Sequence, residues 1–338
     1  MSPTPSIQSS GDLIADRRYA FAAALSEAGD HLAAADLLRQ TLELTPHWAV
    51  AWRALGRALS AGGEMAGAAA AYRKALAADP DDQLGASLEL ARLDAGAAVN
   101  AAPPAWIAAL FDAYAPTFDN ALVETLDYRA PQLIAARLAA LIGRPAGWGR
   151  ALDLGCGTGL MAEALARRAG WLEGVDLSAG MLEAARAKSL YDALDQDDLH
   201  AALIRRSMAD APAFDIILAA DVLIYAGDLA PIATAAAAQL APGGRIAVTL
   251  EALEPDLAPD VDWRLRESLR FAHSRAYARR VFTQAGLQVD ALDAVTLRLD
   301  RGEPVAGWLV VARRPEAAEA ADAAGCGVAK AAAERAAH

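Results

Sequence analysis

Cysteine and histidine are scarce in this chain of 338 residues, which contains two cysteines and five histidines. Cys156 lies in a glycine-rich segment and Cys326 lies near the C-terminal end, so no disulfide framework is expected. The histidines are scattered and show no metal-ligand spacing; they are His31, His47, His200, His273 and His338. We therefore expect neither structural disulfides nor a metal centre.

Long apolar runs are also missing. The longest apolar region, from about Ile216 to Leu240, is interrupted by Asp221, Asp228 and Pro231. It falls short of the roughly 18 uninterrupted apolar residues that a membrane helix needs. The first ten residues lack the basic start and the apolar core of a signal peptide. These absences predict a cytoplasmic protein that does not bind a membrane.

Positive charge is in deficit, because 31 lysines and arginines face 43 aspartates and glutamates, giving a formal net charge of -12. A field of this sign repels phosphate backbones, so DNA and RNA are not expected as partners. The arginines between Arg264 and Arg280 are the main local exception, and we interpret them as a solvated face. Apolar residues make up 55% of the chain, which is enough for two domains with their own cores.

An internal repeat occupies the N-terminal third. Eight positions recur 34 residues apart, with small residues, apolar residues and a final proline conserved between the two copies. The second copy has Trp52, Leu55, Gly56, Leu59, Ala68, Tyr72, Ala75 and Pro80, and the first has Arg18, Phe21, Ala22, Leu25, Ala34, Leu38, Thr41 and Pro46. This pattern resembles the tetratricopeptide repeat. The resemblance predicts an all-α helical-repeat domain over residues 13–100, with two repeats and a capping helix.

The segment Ala101–Pro104 contains a proline pair, and we interpret it as a linker. The sequence pattern changes after it. From residue 105 to residue 314, strand-like and helix-like segments alternate, which predicts an α/β domain with a doubly wound, seven-stranded, mostly parallel sheet. Strands are expected at Ala151–Leu154, Leu172–Val175, near Leu194, and at Phe214–Ala219, Arg245–Leu250, Gln288–Leu299 and Gly307–Ala312. Residues 1–12 and 315–338 are predicted to be disordered.

A glycine-rich turn is the most informative feature of this second domain. The strand that contains Asp153 runs directly into Gly155, Gly157 and Gly159, and a helix is expected over Leu160–Arg168. Glycine adopts φ > 0 without strain and lets a ligand lie against the bare main chain. Asp176 ends the next strand 23 positions after Asp153, which is where a carboxylate can bind a ribose diol. The sequence therefore predicts nucleoside binding.

Two ligands remain open at this point. The segment Gly157–Ala162 fits the dinucleotide fingerprint G-x-G-x-x-G/A, although a lone match has little specificity. The longer segment Leu152–Gly159 resembles the first motif of class I S-adenosylmethionine-dependent methyltransferases. That resemblance implies that Asp153 lies near the methionine ammonium and that Asp176 binds the ribose. Carboxylates favour an ammonium and a sulfonium but disfavour pyrophosphate, so we expect S-adenosylmethionine as the cofactor.

Further motifs support the resemblance. Gly174–Leu182 resembles the family's second motif, which implies that Leu177 and Met181 flank the adenine. Asp198 resembles the acid that accepts from the adenine amine, but it would serve equally well as a helix N-cap. Met181 is equally compatible with a helix core, and Cys156 is expected to fill the loop rather than act as a nucleophile. The expected cofactor-binding residues are Asp153, Gly155, Cys156, Gly157, Thr158, Gly159, Asp176, Leu177, Met181, Asp198 and Leu199.

Fewer sequence motifs indicate which residues bind the methyl acceptor. Phe111–Asp119 resembles the aromatic lid helix of small-molecule methyltransferases, which implies that Tyr114 and Phe118 contact the substrate. The same two residues would also suit a helix-core pair at i, i+4 spacing. Taken with the repeats, the chain is similar to a bacterial group of tetratricopeptide-containing methyltransferases.

The expected mechanism is in-line displacement at an already activated methyl sulfonium, which requires no metal. A base is needed only when the acceptor arrives protonated, and the candidate catalytic residues are His273, Asp221 and Tyr225, with Asp119 as a fourth. His273 could instead be a helix-start or solvent histidine, and Asp221 could cap a turn. The leading functional hypothesis is methyl transfer to a small molecule. The alternatives are a protein methyltransferase whose repeats recruit the substrate protein, and a non-catalytic repeat adaptor.

Overall fold

A computed structural model describes residues 9–93, 99–120, 127–143, 148–209, 211–253, 261–300 and 302–316. The chain divides into two compact units. Unit 1 comprises Met1–Pro116, Tyr225–Gly227 and Leu265–Phe271, and unit 2 comprises Thr117–Ile224, Asp228–Arg264 and Ala272–His338. The expected disordered ends lie mostly outside the described residues. The division at Pro116 falls beyond the expected linker, because the helix that follows the linker belongs to unit 1.

Unit 1 is helical. Asp12 begins the first helix by accepting hydrogen bonds from the backbone N–H groups of Ile14 and Ala15, and Asp30 caps the second helix in the same way through Ala33. The bounds of the six helices are α1 (Leu13–Glu27), α2 (His31–Leu44), α3 (Ala49–Ala61), α4 (Met65–Ala78), α5 (Ala86–Arg92) and α6 (Pro104–Tyr114).

Small side chains allow α3 and α4 to approach closely. A Cβ on Gly56 would lie 2.4 Å from the ring of Tyr72, so only glycine fits opposite this fully buried tyrosine. The remaining core of α1–α4 consists largely of buried alanines and leucines, with Trp48 packed against Tyr19. Trp106 of α6 lies against Gly85 in the same unit, where a Cβ would be 2.8 Å from the indole ring.

Unit 2 holds a sheet that has nine strands within the described part of the chain. The strands are β1 (Arg150–Leu154), β2 (Trp171–Asp176), β3 (Ala193–Gln196), β4 (Phe214–Ala219), β5 (Leu240–Ala252), β6 (Trp263–Leu265), β7 (Phe271–His273), β8 (Gln288–Asp300) and β9 (Glu303–Arg313). Its helices are α7 (Phe118–Asn120), α8 (Ala130–Ile142), α9 (Leu160–Leu165), α10 (Ala179–Lys188), α11 (Leu199–Met208), α12 (Ala230–Gln239) and α13 (Arg275–Gln284).

Strands β3, β2, β1, β4 and β5 follow one another in that order and pair in parallel. Strand β9 pairs antiparallel with both β5 and β8, as the short connection between the last two strands indicates. Because β1 and β2 are parallel neighbours, their carboxyl ends lie at the same edge of the sheet, with Asp153 in register with Gly174. This edge carries the glycine-rich turn.

Two expectations about unit 2 need correction. The seven-stranded sheet omitted β6 and β7, whose three residues each are too short to give a sequence pattern. The helix after the glycine turn ends at Leu165, not Arg168, because Ala166 and Arg167 adopt φ of 48° and 58° and break the helical path. Among the described residues, no helix combines the length and the apolar character needed to cross a membrane.

Candidate active site

The glycine turn after β1 has the left-handed backbone that its sequence predicts. Gly155, Gly157 and Gly159 adopt φ of 68°, 53° and 95°. The N–H groups of Gly155 and Cys156 both donate to the carbonyl oxygen of Val175, at 2.7 and 3.0 Å, which ties the turn to the end of β2. The turn is therefore a fixed loop rather than a loose connection.

The glycines of this loop have different surroundings. A Cβ on Gly155 would lie 2.0 Å from Cγ2 of Val222, so this position is packed. A Cβ on Gly157 would meet only Cε1 of Phe118, at 3.8 Å. The main chain at Gly157 thus has room beside it, which is what a ligand lying against bare backbone requires.

Asp176 reaches into the loop from the end of β2. Its Oδ2 accepts from the N–H of Gly157 at 2.9 Å, and its Oδ1 accepts from the N–H of Ser178 at 2.8 Å. A carboxylate offers about four acceptor positions on its two oxygens. The two backbone bonds orient the group and are compatible with further hydrogen bonds from a ribose diol.

Asp153 is fully buried at the end of β1. The Tyr191 hydroxyl donates to its Oδ2 at 2.6 Å, whereas its Oδ1 is buried without a hydrogen-bond partner. Burial raises the pKa of the Asp153 carboxyl to about 7; the Tyr191 hydrogen bond opposes this rise, and the nearby Asp176 charge adds to it. A buried carboxylate oxygen that lacks a donor suits a cationic group such as the ammonium of S-adenosylmethionine. The residues present therefore fit this cofactor.

A polar network closes one side of the loop. Thr158 Oγ1 donates to Oδ1 of Asp119, and Lys188 Nζ donates to the other oxygen of Asp119 at 2.7 Å. Lys188 also pairs with Glu163 at 2.8 Å. Asp119 is thus engaged by a cation and a hydroxyl, and its role as a base stays a prediction. Neither Lys188 nor Tyr191 was anticipated, because each meets its partner only after the chain has folded.

Two expected cofactor residues turn inward. The Met181 side chain is fully buried in the core beneath α10, as its alternative role in a helix core implies, and its contact with the adenine stays a prediction. The Cys156 thiol packs towards Gly174, where a Cβ would lie 2.9 Å from Sγ. Burial raises the pKa of this thiol, which keeps it protonated and unreactive.

The residues expected around the adenine begin or precede helices. Asp198 is the N-cap of α11, and its Oδ1 accepts from the N–H groups of His200 and Ala201, both at 3.0 Å. Leu199 is the first residue of that helix, and Leu177 follows β2 directly; both are half-buried. The capping interpretation of Asp198 is therefore realised, and its contact with adenine stays a prediction.

Asp221, an expected base, belongs to a buried ionic group. Arg298 of β8 donates to Oδ2 of Asp221 at 2.5 Å and to Oε1 of Glu251, and only 4% of the Arg298 side chain is exposed. Asp221 also has a left-handed φ of 58°, and its N–H donates to Thr249 Oγ1 at 2.8 Å. Asp221 thus has an ionic partner, and its role as a base stays a prediction. This group could not be predicted from the sequence because Arg298 lies 77 positions from Asp221.

His273 ends β7 directly before Ser274, the N-cap of α13. The expectation that His273 lies at a helix start is confirmed, but the alternative that it is exposed to solvent is wrong. His273 is fully buried because β7 pairs with β5. Its ring stacks on the ring of Tyr277, with the centroids 5.8 Å apart. In unit 1, the half-buried Tyr225 packs edge-on against Trp106 and Phe111, with centroids 5.9 and 5.6 Å apart. The catalytic roles of His273 and Tyr225 stay predictions.

The expected aromatic lid helix is not continuous. Helix α6 ends at Tyr114, a 3-10 turn spans Ala115–Thr117, and α7 begins at Phe118. Pro116 has no backbone N–H to continue the helical hydrogen bonds. Tyr114 and Phe118 are both half-buried, and their role in substrate binding stays a prediction.

Part of unit 2 matches a known protein family. Residues 151–244 match the family model described as a methyltransferase domain, which covers β1, the glycine loop and the strands through to the start of β5. The matched segment contains both Asp153 and Asp176. Over this segment, which is less than a third of the chain, the protein is therefore similar to a methyltransferase domain, and its residues fit S-adenosylmethionine as the methyl donor.

Individual relatives are similar over part of their length. A ubiquinone biosynthesis O-methyltransferase of Xylella fastidiosa is 38% identical over 106 residues, 31% of this chain and 43% of the relative. The human methyltransferase-like protein 27 is 41% identical over 85 residues, 25% of this chain and 34% of the relative. The chain thus spans less than half the length of these curated relatives.

Solved structures show a likeness at low sequence identity. A magnesium protoporphyrin IX methyltransferase of Synechocystis aligns with a TM-score of 0.41 and 17% identity, covering 55% of this chain and 78% of the other. A methyltransferase of Haloferax volcanii, in complex with its Trm112 activator, aligns with a TM-score of 0.44 and 21% identity, covering 61% of this chain and 98% of the other.

Proposed function

We propose that this protein transfers a methyl group from S-adenosylmethionine to a small-molecule acceptor by in-line displacement. The observation that carries the proposal is the pair of carboxylates near the carboxyl ends of two adjacent parallel strands, at the edge of the sheet that carries the glycine loop. Asp153 offers a buried oxygen without a donor, and Asp176 is held at the loop by two backbone N–H groups.

Each residue has a defined task in this proposal. S-adenosylmethionine, when bound, supplies a methyl group already activated by a positive sulfur. Asp153 holds the ammonium of the methionine portion, and Asp176 accepts from the ribose hydroxyls. Fixing the donor at both ends restricts the approach of the acceptor to the line of attack, which can supply about 7–11 kcal/mol of the barrier.

A second part of the proposal concerns the methyl acceptor and the residues that contact it. Relatives named ubiquinone biosynthesis O-methyltransferases favour a small organic acceptor. Tyr114 and Phe118 are proposed to contact it, and His273 and Tyr225 are the proposed bases for an acceptor that arrives protonated. Asp221 is the third proposed base, and its carboxylate pairs with Arg298.

The helical unit suggests a second candidate. Helices α2 and α4 begin at His31 and Met65, one repeat of 34 residues apart, and Gly56 packs closely on Tyr72. We propose that α1–α4 form two tetratricopeptide repeats with α5 as a cap. Such repeats commonly bind peptides, so the alternative function is a protein methyltransferase whose helical unit recruits its substrate.

One labelling experiment separates the two functions. The full chain is incubated with methyl-labelled S-adenosylmethionine and a cell extract divided into small-molecule and protein fractions. Label in the small-molecule fraction is expected, and the variant Asp176→Ala should abolish it while Asp195→Asn, at an exposed position on the neighbouring strand β3, should not. Label confined to proteins would favour the alternative, and no transfer to either fraction would count against both.

A further inference from the structure

A cluster of charged side chains lies inside unit 1. We name it the arginine cluster: Arg53 and Arg57 of α3, with Glu89 and Arg92 of α5. Glu89 pairs with all three arginines, at 2.7 Å from Arg57, 3.6 Å from Arg92 and 3.9 Å from Arg53. One carboxylate is therefore shared by three guanidinium groups.

The charge of this cluster is not balanced. Three arginines and one glutamate carry a formal charge of +2, and only 14% of the Arg53 side chain and 5% of the Glu89 side chain are exposed. Burial, together with the neighbouring Arg57, lowers the pKa of Arg53 to about 10, while Glu89 opposes this shift. The two buried members, Arg53 and Glu89, carry opposite charges, so the surplus positive charge lies on Arg57 and Arg92, which are closer to solvent. The surplus is also local, because the chain as a whole has a net charge of -12.

Hydrogen-bond donors exceed acceptors at the same place. Among the described residues, which do not include 94–98, Nε of Arg53, Nε of Arg92 and the hydroxyl of Tyr72 are buried and have no hydrogen-bond partner. Tyr72 is fully buried, and its hydroxyl interacts electrostatically with all four members of the cluster. Buried donors in native proteins normally have partners, so a group of unpartnered donors around one carboxylate lacks an acceptor.

The cluster is open to solvent on one side. About half of the Arg57 side chain is exposed, and 28% of the Arg92 side chain is exposed. An incoming group can therefore reach the guanidinium groups without unfolding the helices. Guanidinium forks match the two oxygens of a carboxylate or a phosphate, and hydrogen bonds between such charged groups are strong.

We infer that the arginine cluster is an oxyanion-binding site, which takes a carboxylate or a phosphate group against Arg53, Arg57 and Arg92. The anion neutralises the surplus charge and supplies the missing acceptors. Because α3 and α5 hold the cluster together, an anion bound there also stabilises the packing of these two helices. The site is separate from the cofactor loop and can hold an acidic group of a partner or of a metabolite.

The test is anion binding to the full-length protein, measured by isothermal titration calorimetry in a buffer of low chloride. Inorganic phosphate and the dicarboxylate glutarate are titrated separately. We expect saturable binding of at least one anion, weakened about tenfold or more in Arg57→Gln, which lacks a half-exposed arginine. Glu89→Gln should tighten binding, because it removes the competing carboxylate.

The control variant is Arg39→Gln, which removes an exposed arginine of the same unit that pairs with Asp36. It should bind the anion like the parent protein. Binding of phosphate alone or of glutarate alone identifies the source of the oxyanion, and both results support the site. The inference is overturned if neither anion binds saturably, or if Arg57→Gln, folded by circular dichroism, binds as tightly as the parent. Titration with S-adenosylhomocysteine in the same variants should be unchanged, which keeps this result separate from the proposed function.

Discussion

The buried carboxyl of Asp153 makes cofactor affinity dependent on pH. Its pKa is raised to about 7, so it is about one-tenth ionised at pH 6 and about nine-tenths ionised at pH 8. If the ionised form holds the ligand ammonium, affinity for S-adenosylhomocysteine should rise about tenfold over this range. Binding at pH 7 should release about half a proton, because the ligand cation stabilises the ionised form.

The raised pKa of Asp153 also makes the stability of the folded protein depend on pH. The folded-state pKa of Asp153 lies above the unfolded value of 3.8, so the folded protein holds the proton more tightly. The contribution of the Asp153 carboxyl to the stability of the ligand-free protein is fully present below about pH 4 and is lost as the pH rises through about 7. Ligand binding should therefore stabilise the protein most at pH 8.

Calorimetry in buffers of different ionisation enthalpy measures both the affinity and the released proton. Asp153→Asn keeps the shape of the side chain and should bind weakly with a flat pH profile. Tyr191→Phe removes the hydrogen bond that opposes the upward shift, so the midpoint should move to higher pH. The reasoning is refuted if the affinity of the parent protein is constant between pH 6 and 8, or if the Asn variant keeps the parent's slope.

Three further predictions concern stability and specificity. Gly155→Ala places a Cβ 2.0 Å from Val222 at φ 68° and should lower the free energy of unfolding by about 3 kcal/mol. Gly286→Ala has a similar φ of 82° but no described atom within 4 Å of the new Cβ, so it should lower the free energy of unfolding by only about 1 kcal/mol. Equal losses for the two variants in urea denaturation would contradict the packing argument. Arg298→Gln removes the guanidinium that joins the carboxylates of Asp221 and Glu251 and should lower the free energy of unfolding by about 3–5 kcal/mol in urea denaturation; a loss below about 1 kcal/mol would argue against the ionic group. Asp198→Asn preserves a capping oxygen and so should leave Tm nearly unchanged while weakening S-adenosylhomocysteine binding; unchanged affinity would remove Asp198 from the adenine contact.

Local patterns were sufficient to predict the elements that form the candidate site. The apolar run before Gly155 predicted β1, and the next apolar run ending in Asp176 predicted β2. Alternation of strands and helices then predicted the parallel sheet that places both carboxylates at one edge. These features are encoded within short stretches, where periodicity and glycine placement act directly on the backbone.

Contacts between distant residues could not be predicted in this way. The Asp153–Tyr191 bond spans 38 positions and the Asp119–Lys188 pair spans 69, so each depends on how helices pack on the sheet. Met181 illustrates a different difficulty. A methionine on an amphipathic helix suits a ligand contact or a core position equally well, so its burial could be seen only in the packed structure.

Very short strands could not be predicted from the sequence either. Strands β6 and β7 have three residues each, which is less than the alternation that identifies a strand. The burial of His273 follows from its place in β7, so the expectation of a solvent histidine was wrong for the same reason.

Direct binding of S-adenosylhomocysteine to the full chain is the most direct test of the cofactor site. Calorimetry at pH 8 should show one ligand per chain, with binding lost in Asp176→Ala and retained in Asp195→Asn. A nicotinamide dinucleotide, titrated in parallel, should not bind. Absence of S-adenosylhomocysteine binding to the folded protein, or preferential binding of the dinucleotide, would contradict the account.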